Sequence, residues 1–202
     1  MRKRELSVVG VIAAVFLSAC VPASTPESDG RPDTSAVGAA ELLVERLDLI
    51  DDVISVWGSA TTLEEARAAA ETAANLVVGP GGPGYGDRNG DGEVGGEVSA
   101  GLLPGLDGSP PGLATPLAAN GCVARDVLGG SWEDPAAEWK RMLTAIDQWR
   151  PDNNTMPTLP SHPMRIVGWA TFTQATDSLE LAQEYAGHAK LHVDISRRAL
   201  DC

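Results

Sequence analysis

The chain is predicted to be all-α: an up-and-down four-helix bundle interrupted between its second and third helices by a long Gly/Pro-rich excursion. Three observations lead there. Apolar residues recur at helical spacing in four separate stretches, two of those stretches open on helix-start signals, and no run alternates with the period of two that a half-buried strand needs. The 202 residues, 43% hydrophobic, are enough for one core of ordinary size. Their net charge of −13 argues against a basic surface of the kind that binds nucleic acid.

The first nineteen residues stand apart from the bundle. Arg2, Lys3 and Arg4 precede an apolar run from Val8 to Leu17 that is too short to span a bilayer, which is the pattern of a signal peptide. It ends in Leu17-Ser18-Ala19-Cys20, and this tetrapeptide resembles the lipobox of bacterial lipoproteins. The resemblance implies cleavage before Cys20, a diacylglyceryl group on its thiol and an exported chain held at the cell membrane or an outer membrane by its acyl chains. Several acyl chains give a durable anchor where one does not. Residues 20–35 are rich in Pro, Ser, Asp and Gly, too polar to offset their own ordering entropy, and read as a disordered tether.

Residues 36–202 form the helical domain. In the first helix, Ala36 to Trp57, the stripe Leu43, Leu47, Ile50, Ile54, Trp57 lies on one face and acids occupy much of the other. Thr62-Leu63-Glu64-Glu65 is a capping-box pattern that opens an Ala-rich second helix running to Val78. Asp134 and Pro135 suit the N-cap and first turn of a third helix, whose Trp139, Met142, Ile146 and Trp149 share a face. A fourth helix is expected from Met164 to Leu200 along Ile166, Trp169, Phe172, Thr176, Leu179, Ala186, Val193 and Leu200. Gly168 and Gly187 are the places where it would bend or split.

Between the second and third helices, residues 79–130 hold 16 of the 22 glycines and 6 of the 14 prolines. No helix continues through such a stretch, and a loop this long in a small domain calls for something to order it. Asp87-Arg88-Asn89-Gly90-Asp91-Gly92-Glu93-Val94 places oxygen side chains at positions 1, 3 and 5 and glycine at 6, spacing that aims alternate oxygens at one point. The segment resembles EF-hand-like and dockerin-like calcium loops, and with the helix before it is similar to an arrangement in uncharacterised helical-bundle lipoproteins. That resemblance implies one calcium ion held by Asp87, Asn89, Asp91 and the Glu93 carbonyl, with Val94 as an apolar plug. Position 12 is Val98 rather than a carboxylate, so Glu97, a distant acid such as Glu71 or Asp107, or water completes the shell. The competing reading is a plain polar turn.

With Cys20 lipidated, Cys122 and Cys202 remain as an even pair in an oxidising compartment and are expected to form a disulfide. Glu184, His188 and His192 follow one helical face and offer an alternative, transition-metal site, against the reading of an exposed polar row. Trp57, Trp139, Trp149 and Trp169 read as core. Trp132, flanked by Gly130 and Glu133, reads as part of a recognition surface or as a cover over the bundle end. No nucleophile elbow, P-loop or dinucleotide fingerprint is present, so the function expected is that of a membrane-anchored, calcium-binding scaffold or binding module rather than an enzyme.

Overall fold

Five α-helices make up most of the regular structure in the computed structural model, which describes residues 34–150 and 159–202. The signal segment, Cys20 and nearly all of the tether lie outside these residues. Among the described residues there is no strand, and the fold is all-α.

Helix α1, Thr34–Ser59, buries the expected stripe of Leu43, Leu47, Ile50, Ile54 and Trp57. Helix α2, Leu63–Val78, starts at a true capping box. The Thr62 hydroxyl accepts the Glu65 N–H at 3.2 Å and the Glu65 carboxylate accepts the Thr62 N–H at 3.2 Å, which satisfies two free donors at once. Buried Ala66, Ala69, Ala70, Ala73 and Ala74 let α2 approach its neighbours closely. Residues 60–62 are so short a link that α1 and α2 form an antiparallel hairpin.

Helix α3, Pro135–Gln148, begins with Asp134 accepting the Ala137 N–H, as its Asp-Pro start foretells. Helices α4, His162–Ala175, and α5, Leu179–Arg198, form a second hairpin. The single fourth helix expected from Met164 to Leu200 is therefore two helices, and the break falls at neither suspected glycine. The Phe172 carbonyl accepts the Thr176 N–H to close α4, the Thr176 hydroxyl accepts the Ser178 N–H, and the Ser178 hydroxyl accepts the Leu181 N–H to open α5. Hydroxyl side chains beside their own backbone compete with helix bonds in this way, so Thr176-Asp177-Ser178 is both a stop and a start. Gly168 has a different task. A Cβ there would sit 2.9 Å from the Trp149 ring, so the glycine makes room for the indole against α4.

The two hairpins pack on each other: α1 lies against α2 and α5, α2 against α4, and α4 against α5, while α3 touches α4 only lightly. A charged clamp joins α1 to α5. Asp51 meets Lys190 at 2.7 Å and Arg197 at 3.0 Å, and Arg197 reaches Asp48 at 2.7 Å. Burial alone would raise the Asp51 pKa, but hydrogen bonds from Lys190 and Arg197 hold it below the usual carboxylate range.

From Gly79 to Asp134 the chain contains only a 3-10 turn, Thr115–Leu117, and a π-helical turn, Val123–Leu128. Its return against α2 explains much of the glycine. A Cβ on Gly79 would fall 2.1 Å from the Gly101 nitrogen, so the two backbones abut where no side chain fits, and the Leu102 N–H reaches the Val77 carbonyl at 2.8 Å. Arg46 of α1 donates to the carbonyls of Leu76 and Ala100, and the Trp139 indole donates to that of Pro104. Leu102, Leu103, Ala114, Val123, Val127 and Leu128 are buried, so the excursion contributes to the core. No helix among the described residues is long and apolar enough to cross a membrane.

Candidate functional site

The acidic turn of the excursion is built on α2. Glu71 and Asn75, one helical turn apart on the buried side of that helix, are 2% and 0% exposed. The Glu71 carboxylate accepts the N–H groups of Arg88 at 2.6 Å, Asn89 at 3.0 Å and Gly95 at 2.8 Å. Asn75 donates to the carbonyls of Gly86 and Gly95, and its side-chain oxygen accepts the Gly86 N–H and the Arg88 Nε–H. Burial lowers the Arg88 pKa, and the charge of Glu71 offsets part of that. These two helix residues thus satisfy backbone that water would otherwise have to satisfy.

Within the turn, Asp87 accepts the Gly90 N–H at 2.6 Å and the Gly92 N–H at 2.9 Å. Asn89 accepts the Asp91 N–H and donates to an Asp91 carboxylate oxygen, while the other Asp91 oxygen accepts the Glu93 N–H. The bonds from the Glu93 amide and the Asn89 side chain hold Asp91 below the usual carboxylate range.

Asp87, Asn89 and Asp91 therefore share one tight turn, whereas the other expected ligands do not join them in a cluster. Glu93 and Glu97 are exposed, and among the described residues no three Asp, Glu, His or Cys side chains are placed to hold a metal ion. Glu71 does come to the loop, but to its backbone. Asp107 accepts the Ser109 N–H in another turn. Val94, expected as a buried plug, is 38% exposed. Val98 packs on the core instead, because Gly95 and Gly96 lie against α2 and carry the chain inward only after Val94 has passed.

Cys122 and Cys202 are paired as a disulfide with a Cα separation of 6.1 Å, ordinary for such a bond. Along the histidine row Glu184 is exposed, His188 half-buried and His192 buried. His188 lies 3.7 Å from Glu184 and stacks on the Trp169 ring at 4.4 Å. His192, 8% exposed, turns instead to His162 at the start of α4, with their Nδ1 atoms 2.9 Å apart. Desolvation pushes both down, His162 to about 4 and His192 to about 3. Arg165 adds to each shift, while Asp126 opposes that of His162. The pair was invisible in the sequence because its members are thirty residues apart. Glu71 and Asn75 did leave a signal, two polar residues at helical spacing in an Ala-rich inner face.

No protein-family model, curated protein or solved structure matches the chain.

Proposed function

We propose that the chain is an exported, lipid-tethered module of the cell envelope that acts by binding, with α1, α2, α4 and α5 as an up-and-down four-helix bundle and the excursion as its binding face. The observation that carries this reading is the Cys122–Cys202 disulfide, since such a bond persists in oxidising compartments outside the cytosol. The lipobox-like Leu17 to Cys20 supports the tether. Metabolic labelling with palmitate tests it: label in the wild-type chain and none in Cys20→Ser is expected. An unlabelled wild-type chain released in soluble form overturns the reading.

Calcium belongs to the same proposal. The turn offers hard oxygen donors in Asp87, Asn89, Asp91 and the Glu93 carbonyl, which suit calcium better than a softer metal. Water completes the shell. Because Glu71 and Asn75 already hold the loop from behind, the ion adds to its order rather than creating it. A modest rise in melting temperature with millimolar calcium, together with terbium luminescence, is expected. Both vanish in Asp87→Ala/Asp91→Ala, and equal stability in calcium and chelator without a terbium signal rejects the ion.

A further inference from the structure

The π-helical turn Val123–Leu128 forms one side of a cleft of about 610 Å³, a volume within the range of small-molecule sites. Two features of this cleft bear on what it would take. Its apolar part includes Leu128 and Trp132, and the Trp132 indole is fixed by a bond from Nε1 to the Leu128 carbonyl at 3.1 Å and an edge-on contact with Trp139 at 5.4 Å. Arg125 is the one charged residue of the lining, in a chain with 28 acids and 15 lysines and arginines.

Arg125 directs its Nε and one terminal nitrogen to the two oxygens of Asp126, each at 2.7 Å. That uses one edge of the guanidinium fork and leaves the other terminal nitrogen for a ligand. A rigid indole wall and an available guanidinium nitrogen ask for a flat apolar body with an acidic end. π-Helical turns recur at functional sites, and here the turn follows directly on the disulfide at Cys122. We propose that this cleft binds a small aromatic carboxylate, its ring against Trp132 and its acid group on Arg125.

The inference rests on the binding-module reading but needs neither the lipid nor calcium, so palmitate labelling and calcium shifts can fail while this stands, and the reverse. The test is two-dimensional ¹H–¹⁵N NMR of the purified full chain, whose five tryptophans give five indole N–H signals, that of Trp132 assigned with Trp132→Phe. The probes are 2-naphthoate and its neutral relative 2-naphthamide. A saturable shift of the Trp132 signal with Trp57 unmoved is expected, with naphthoate binding at least about fivefold tighter than the amide, as a charge-assisted contact requires. Arg125→Gln abolishes that preference. Absence of saturation, equal movement of all five signals, or equal affinity for the two probes in the unmutated chain overturns the proposal.

Discussion

The carboxylate of Glu71 in α2 accepts the main-chain N–H of Arg88 at 2.6 Å. Together with its bonds to Asn89 and Gly95, this makes one buried side chain the anchor of a loop that begins after the helix has ended. Glu71→Gln keeps the shape but replaces one accepting oxygen with a donor, leaving N–H groups of the loop unpaired. A loss of about 2 kcal/mol is expected. Amide hydrogen exchange should quicken at Arg88, Asn89 and Gly95 while α4 and α5 stay protected.

The glycines of the second hairpin should respond with opposite signs. At Gly168 a methyl group would press on the Trp149 ring, so Gly168→Ala is expected to cost about 1–3 kcal/mol. Gly187 has nothing within 4 Å of the same position and lies inside α5, so Gly187→Ala should add about 0.5–1 kcal/mol through helix propensity. Urea denaturation of the two variants checks the pair.

Acid should weaken the contact between α4 and α5 where His162 meets His192. An unfolded histidine titrates near 6.5, whereas these two take protons only near 4 and 3 in the folded chain. Between those values the unfolded state binds more protons, so the pair's contribution is intact above about pH 7 and is lost as pH falls through 6.5 towards 3. Thermal unfolding followed over that range should show a shallower decline in His162→Asn/His192→Gln than in the wild type.

Reduction tests the cross-link. The disulfide spans a sequence separation of 80, and closing a loop of that length restricts the unfolded chain by about 4–5 kcal/mol on the chain-entropy account. Cys122→Ser/Cys202→Ser should show a loss of up to about that size in oxidising buffer and no further loss on adding reductant.

Local patterns in the sequence carried a good part of this fold. The stripe from Leu43 to Trp57, the Thr62–Glu65 capping box and the Asp134-Pro135 start each depend on residues within a few positions of one another, and each is present as expected. The break at Thr176-Asp177-Ser178 was also local. It was hidden because Thr176 and Leu179 kept the apolar rhythm across the gap, and glycine drew attention away from the hydroxyls that end one helix and begin another. What the sequence could not reveal depended on distant partners. Val94 faces outward because of where Gly95 and Gly96 lie on α2, His192 turns to a residue on a different helix, and the role of Glu71 depends on amides 17 to 24 positions away.

The arrangement of the two hairpins sets an order of events during synthesis. Helix α5 lies against both α1 and α4, yet it is made after every other helix among the described residues. Until it emerges, the apolar stripe of α1 lacks one of its two flanking helices, and the longest-range contacts of the core cannot form. Closing such contacts is slow because the entropy of a long loop must be lost before they form. The α1–α2 hairpin can therefore form early, but the core it belongs to closes only once α5 has been made.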